Sequence, residues 1–183
     1  MSIVSLGSNC AVAYQLKQYH LRTHAYPFDW VKVSLNSLVK VLANNFERYE
    51  KMSIKKLSEN HISWEENKPS YIISNDYGIT MAHELVNEQN LEIFSNILLK
   101  RIDRFRLLEN STFVRLETAN LTPVQMLVYN NLVEQLDKYF TEYQLVVISK
   151  IKPSNSKIKW IELKSFDENW SYPSLDWKSI FNL

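Results

Sequence analysis

Cysteine and glycine are both scarce in this sequence. Among 183 residues there is one cysteine, Cys10, and there are two glycines, Gly7 and Gly78. A single thiol cannot form an internal disulfide, a CxxC pair or a four-cysteine zinc site, so the composition fits a reducing compartment. Two glycines so far apart exclude both the GxGxxG dinucleotide loop and the P-loop.

Neither an excess of charge nor a long apolar run is present. Lys and Arg total 21 and Asp and Glu total 20, so we expect neither nucleic acid nor an anionic membrane as a partner. No apolar run approaches the roughly 18 residues of a membrane span, and the N-terminus lacks the pattern of a signal peptide. We therefore expect a cytoplasmic protein that needs no metal or other cofactor and acts on a small-molecule or peptide substrate. The pattern gives no indication of its oligomeric state.

The sequence does contain enough apolar material for one core, since 45% of its residues are hydrophobic. We therefore predict a single domain over residues 1–183. Short apolar runs predict strands at 3–6, 112–116, 145–149 and 158–163, and two further strands around a turn at 71–74 and 78–83. Apolar residues at helical spacing predict helices at 35–46, 91–105 and 129–140, and a final helix in the tail 167–183.

This alternation of strands and helices predicts the fold class. Strands that alternate with helices favour an α/β fold of three layers, a mainly parallel sheet with helices on both faces. Residues 47–69 are polar and show only a weak pattern.

The segment "SLGSNCAVAYQL", residues 5–16, contains the one cysteine. It reads as a buried strand, a turn at Gly7 and a helix capped by Ser8 or Asn9. Cys10 would then lie in the first helical turn, at the carboxyl end of a parallel strand, where ligand sites form. Unpaired amides at a helix start favour a thiolate, which is the nucleophilic form of cysteine. The alternative is a buried cysteine of the core.

A cysteine nucleophile needs an imidazole to accept its proton and a third group to orient that imidazole. The histidines are residues 20, 24, 61 and 83. His83, predicted at the end of a strand, is the preferred base, although a structural histidine is the alternative. Asp29, Glu117 and Asn120 all remain candidates for the orienting group.

Arg115 stands between apolar residues of a predicted strand, where a charge is costly unless it is paired or faces a ligand. It either binds an anionic substrate or forms an ion pair with Glu117. The basic cluster at 100–106 is interpreted as a solvated helix end.

A longer segment, "SLGSNCAVAYQLKQYHLRTHAYPFDWV", resembles the opening signature of a family of candidate papain-like cysteine peptidases, in which SLG-x-x-C is followed by PFDW. The stretches "YGITMAHE", "RFRLLENSTFVRLE" and "NWSYPSLDWKSIFNL" are similar to later parts of that family. The resemblance implies that Cys10 is the nucleophile and His83 the base, with Asp29 and Trp30 near the site. It also implies a papain-like α+β fold as the alternative architecture.

Together these observations predict a cysteine-dependent hydrolase of amide or related acyl bonds, with Cys10, His83 and Asp29 as catalytic residues. Backbone amides of residues 7–11 would bind the oxyanion of the tetrahedral intermediate. The predicted substrate-binding residues are Gly7, Ser8, Asn9, Trp30, Arg115 and Glu117. Three alternatives stay open. These are a hydrolase with Ser8 as nucleophile, a transferase-like domain that binds a sugar nucleotide or phosphate with the helix start and Arg115, and a non-catalytic interaction domain.

Overall fold

The computed structural model describes residues 2–62, 69–84 and 86–182. The strands within these ranges are β1 (Ile3–Ser5), β2 (Val31–Lys32), β3 (Ser53–Ile62), β4 (Pro69–Ser74), β5 (Thr80–Met81), β6 (Ser111–Leu116), β7 (Tyr143–Ser149) and β8 (Ile158–Glu162). The helices are α1 (Ala11–Gln18), α2 (Leu35–Ala43), α3 (Leu91–Arg106), α4 (Pro123–Met126), α5 (Val128–Tyr139) and α6 (Trp177–Ile180). The architecture is therefore mixed α/β.

One sheet is parallel, with strand order β1-β6-β7-β8. Strands β6 and β7 pair in register from Ser111 opposite Tyr143 to Leu116 opposite Ile148. Every residue of β6 is buried, and so are the last five residues of β7. Such continuous burial is typical of parallel strands covered on both faces. The predicted parallel sheet, with 145–149 in an interior strand, is confirmed.

A second sheet is antiparallel, with strand order β2-β5-β4-β3, and the sequence predicted only its two strands around a turn, at 71–74 and 78–83. Its strand β5 comprises only two residues, so the strand predicted at 78–83 was too long. Strand β3 lies in the polar stretch 47–69. A polar stretch can form an edge strand because backbone hydrogen bonds to the neighbouring strand hold it, and no strict apolar alternation is needed. The expectation of one mainly parallel sheet was therefore incomplete.

The helix starts follow local signals in the sequence. Ser34 precedes α2 and its hydroxyl accepts a hydrogen bond from the Ser37 N–H. Thr122 and Gln125 form a reciprocal capping box at the start of α4. In the part of the chain that the structure describes, no helix has the length and apolar character to cross a bilayer.

Alternate side chains of β7 belong to two hydrophobic clusters. Leu145 and Val147 belong to the larger cluster, which also contains apolar residues of α2, α3 and α5. Val146 and Ile148 belong to the smaller cluster, together with residues of α1 and the C-terminal segment. Because successive strand residues point to opposite faces, the two clusters lie on opposite faces of the parallel sheet. Helix α1 is thereby held against the sheet with Cys10 at its start.

Candidate active site

The turn between β1 and α1 places Cys10 at the carboxyl end of the parallel sheet. Gly7 and Ser8 have φ values of +72° and 81°, so the backbone reverses sharply here. A Cβ atom at position 7 would lie 2.3 Å from Val33 Cγ1, which leaves room for glycine alone. Asn9 Oδ1 accepts a hydrogen bond of 2.9 Å from the Ala11 N–H. The predicted strand, turn and helix start are observed, but Cys10 itself occupies the N-cap that was predicted for Ser8 or Asn9.

The Cys10 thiol is free and partly buried, at the N-cap position of α1. Burial, and after it the negative charge of Glu84, raises the pKa of this thiol to about 12. The sequence predicted the opposite, a helix start that favours the thiolate. That prediction was wrong because desolvation and a nearby carboxylate both disfavour a second negative charge. The resting thiol is therefore protonated at neutral pH.

Glu84 belongs to a group of four charged side chains, with Arg101, Asp29 and Arg22. The Glu84 Oε1 atom lies 2.8 Å from Arg101 Nη2. Their alignment is not that of a hydrogen bond, and Glu84 Oε1 has no hydrogen-bond partner among the described residues. Asp29 Oδ2 lies 3.1 Å from Arg22 Nε and accepts a second hydrogen bond from the Tyr26 N–H at 3.0 Å. The group thus consists of two ion pairs.

Asp29 was predicted to orient His83. Its side chain is almost completely buried, and burial raises the pKa of its carboxyl group despite the opposing effect of Arg22. Oδ2 is occupied by Arg22 and Tyr26, and Oδ1 has no hydrogen-bond partner in the described part of the chain. The orienting role of Asp29 stays a prediction.

A cavity of about 450 Å³ lies beside the two ion pairs. The lining residues are Lys17, Arg22, Ala25, Trp30, His83, Glu84, Val86, Phe94, Ile97 and Arg101. His83, the predicted base, thus lies in the cavity wall. It was predicted to end a strand, but it lies two residues after the end of β5. Cys10 itself is not a lining residue, but the charge of Glu84 acts on its thiol. The cavity wall therefore contains His83 and Glu84, whereas Cys10 lies outside it.

The other histidines lie elsewhere in the chain. His20 and His24 are exposed, and the side chain of His61 lies outside the described residues. Among the residues that the structure covers, no three His, Cys, Asp or Glu side chains come together as a metal site requires. Among the histidines whose side chains the structure describes, His83 is therefore the one that lines the cavity.

Arg115 is an internal structural cation. Its Nε donates to Glu117 Oε1 at 2.7 Å, and the hydroxyl of Tyr129 donates to the same oxygen at 2.6 Å. Nη1 donates to the Leu6 carbonyl at 2.9 Å and Nη2 to the Val33 carbonyl at 3.1 Å. These bonds tie β6 to the residues after β1 and β2. Of the two interpretations, the ion pair with Glu117 is the one observed.

The predicted substrate-binding residues are divided between two cavities. Trp30 lines the larger one. Ser8, Arg115 and Glu117 line a second cavity of about 220 Å³. Gly7 and Asn9 line neither of these, and they shape the turn instead. Since the protein occupies most donors of Arg115, the second cavity gives little support to a phosphate site.

Sequence reasoning missed Arg101, which it assigned to a solvated helix end. Arg101 is only 7% exposed and lies on the buried face of α3 with Phe94, Leu98 and Phe105. Its position three residues after Leu98 is a spacing of that face, so a signal existed in the sequence. A charge in an apolar stripe is the pattern that would have identified it.

Comparisons with known proteins identify the family of the chain. The chain is 28% identical to "Uncharacterized protein R408" of Acanthamoeba polyphaga mimivirus over 215 aligned positions, which cover 97% of this chain and 95% of the relative. A family profile matches residues 1–150, which include the Cys10 turn, the histidine and the charged cavity. The chain belongs to the family described as "Putative papain-like cysteine peptidase (DUF1796)".

Proposed function

We propose that the protein is a cysteine-dependent hydrolase of amide or related acyl bonds, with Cys10 as nucleophile and His83 as base. The observation that carries the proposal is the position of the one thiol. Cys10 stands on a sharp turn at the carboxyl end of a parallel sheet, within electrostatic reach of Glu84, the neighbour of His83 in the chain. Membership of the family supports the same assignment.

In the proposed reaction His83 accepts the proton of the Cys10 thiol while sulfur attacks the carbonyl carbon of the substrate. The leaving amine takes that proton from His83, and the acyl group stays on sulfur as a thioester. Water, activated by His83, then cleaves the thioester and restores the thiol. Backbone amides at the turn hold the oxyanion in both steps.

The hydrogen bonds of the turn narrow the choice of oxyanion donors. The Gly7 N–H donates to Ser5 Oγ and the Ala11 N–H to Asn9 Oδ1. Among the five amides predicted for this role, those of residues 8–10 are therefore the better candidates. An oxyanion bound by the amides of residues 8–10 would lie beside the sulfur atom of Cys10, as acyl transfer requires.

The raised pKa of Cys10 has a mechanistic consequence. A thiol with a pKa of about 12 does not lose its proton to solvent at pH 7. The base must therefore remove the proton during the attack, and no thiolate–imidazolium pair is stored in the free protein. Activity should then depend strongly on His83, because general base catalysis typically contributes about 10²- to 10⁴-fold.

The test is acylation of the full chain by p-nitrophenyl acetate at pH 7. We expect p-nitrophenolate release to coincide with an acetyl adduct on Cys10 in the intact mass. Cys10→Ser and His83→Ala should slow release by about 100-fold or more. The matched control, His24→Ala, changes an exposed histidine and should have the wild-type rate. Wild-type acetylation in His83→Ala would overturn the proposal.

We also propose a single cytoplasmic domain of three layers. Support for the layers comes from β7, whose alternate side chains join two different hydrophobic clusters. Support for a single domain comes from the larger cluster, which contains Phe113 and Leu145 of the parallel sheet as well as Ile73 and Met81 of the antiparallel one.

A further inference from the structure

Arg101 has donor atoms for which the described residues offer no hydrogen-bond acceptor. Its side chain is 8% exposed and lies in the wall of the larger cavity. Nη2 forms the ion pair with Glu84, but Nε and Nη1 have no hydrogen-bond partner among the described residues. Buried polar atoms are nearly always hydrogen-bonded, and an unpaired donor of a charged group is costly. Arg115, equally buried, shows the usual arrangement, with each nitrogen bonded to a protein oxygen.

The charges around the cavity favour an acceptor with a single negative charge. Lys17, Arg22 and Arg101 line the cavity together with Glu84, and Asp29 is paired to Arg22 from behind. Three cations face two carboxylates, so one positive charge is left over. A carboxylate matches this charge and the planar guanidinium group. A phosphate dianion carries one negative charge more than this surplus balances, so Glu84 would repel it more strongly than a carboxylate.

The apolar residues of the cavity wall fit the uncharged part of such a carboxylate ligand. Trp30, Phe94 and Ile97 supply an apolar surface beside Arg101. The Arg101 guanidinium carbon lies 5.7 Å from the centre of the Phe94 ring. A volume of about 450 Å³ is within the usual range for small organic ligands. This combination fits a short organic acid in which an apolar part adjoins the carboxylate.

We propose that Arg101 binds a carboxylate in this cavity, and that the substrate of Cys10 is a small amide with a free carboxylate, such as an N-acylated amino acid or a dipeptide. The substrate class rests on the proposed hydrolase function, whereas carboxylate binding does not. Glu84 connects the two sites, because it pairs with Arg101 and also acts on the Cys10 thiol. The substrate class therefore requires that a carboxylate bound to Arg101 place the neighbouring amide within reach of Cys10.

The test compares two probes that differ only in charge, N-acetylglycine and N-acetylglycinamide, by NMR titration of the full chain. We expect the carboxylate probe to bind at least about tenfold tighter than the neutral amide. Inorganic phosphate is titrated as a third probe. It should bind more weakly than N-acetylglycine.

Two matched variants on α3 localise the effect. Ile97→Glu adds a negative charge in the cavity wall and should weaken N-acetylglycine binding about five- to tenfold. Ile93→Glu makes the same change at a 63% exposed position on the same helix that does not line the cavity, and should bind like wild type. Arg101→Lys keeps the charge but loses the planar fork, and should also bind more weakly.

The outcomes separate the two proposals. Equal affinity for the two glycine probes, tighter binding of phosphate, or equal effects of Ile97→Glu and Ile93→Glu would each overturn carboxylate binding by Arg101. Selective N-acetylglycine binding combined with wild-type acetylation in His83→Ala would retain the binding site and overturn the hydrolase. Binding by the Cys10→Ser variant should equal wild type, because sulfur takes no part in holding the carboxylate.

Discussion

Alkylation of Cys10 by iodoacetamide should be slow at neutral pH and should rise about tenfold per pH unit to beyond pH 10. The thiolate is the reacting species, and burial together with Glu84 raises the thiol pKa to about 12. Since Cys10 is the one cysteine of the chain, the intact mass reports on this residue alone. The same chain unfolded in urea provides the reference thiol, because its surroundings no longer perturb the pKa.

The size of the effect follows from two opposing factors. A pKa of about 12, compared with an ordinary value of 9.0, makes the thiolate about 10³ times rarer at pH 8. A thiolate of higher pKa is also more nucleophilic, and a Brønsted coefficient of about 0.4–0.5 recovers roughly 20-fold. The folded chain should therefore react about 50-fold more slowly than the unfolded chain at pH 8. Partial burial of Cys10 slows it further.

A rate that levels off below pH 10 in the folded protein would refute this reasoning, since it would reveal an ordinary or lowered pKa. Reaction of the folded chain as fast as the unfolded chain at pH 8 would refute it equally. Circular dichroism at each pH verifies that the chain is still folded. Proton removal by solvent would then be sufficient, and the concerted role of His83 would lose its basis.

The contribution of Glu84 is measured in the same assay. Glu84→Gln removes a negative charge that raises the pKa of the thiol, so the Cys10 pKa should fall. We expect alkylation at pH 8 to become about three- to tenfold faster. Glu88→Gln is the matched control, because Glu88 is exposed and is not among the groups that shift the Cys10 pKa. Equal rates in the two variants would contradict the assigned role of Glu84.

Three further predictions concern stability, each measured as the free energy of unfolding in urea. Gly7→Ala should cost about 1–3 kcal/mol more than Gly78→Ala, because both positions have φ +72° but a Cβ atom meets another side chain only at position 7. Glu117→Gln should cost about 3–5 kcal/mol, because it leaves the Arg115 cation buried without its counter-charge. Stability should fall as the pH rises above 10, because burial raises the pKa of Tyr49 and keeps its phenol neutral in the fold, whereas the unfolded phenol ionises at its ordinary value of 10.

Each of these predictions has a distinct contradicting result. Equal losses in the two glycine variants would mean that the turn does not pack tightly. A loss from Glu117→Gln as small as that from Glu134→Gln, a change at an exposed residue of α5, would mean that the buried pair contributes little. An alkaline loss of stability that is unchanged in Tyr49→Phe would assign it to other groups.

The elements predicted correctly are those specified by neighbouring residues. The caps at Ser34 and Thr122 act over three residues, and α2 and α4 begin directly after them. The rest of the antiparallel sheet, beyond the two strands predicted around the turn, was missed because strand pairing joins distant segments. Strand β5 is two residues long and β3 is an edge strand, so neither carries a strong local pattern.

For the candidate site, the sequence alone determined where the thiol stands. One cysteine after a strand and a glycine turn predicts that Cys10 stands at the start of a helix, and in the structure Cys10 is the N-cap of α1. The same pattern could not determine the protonation state of the thiol. Glu84 reaches Cys10 only through the tertiary fold, and the burial of Cys10 depends on segments that the local sequence does not contain.

The two arginines show the same division. The sequence marked Arg115 as a charge that needed a partner, and the fold supplied Glu117, Tyr129 and two carbonyl groups. Arg101 stands on the buried face of α3. Only the fold places it in a cavity wall, with two nitrogen atoms that have no hydrogen-bond partner among the described residues. Local propensities are set by a few successive residues, whereas desolvation and Coulomb energies depend on every group that packs nearby. The sequence therefore determined the elements and the position of the thiol, and the tertiary structure decided the charge on each group of the site.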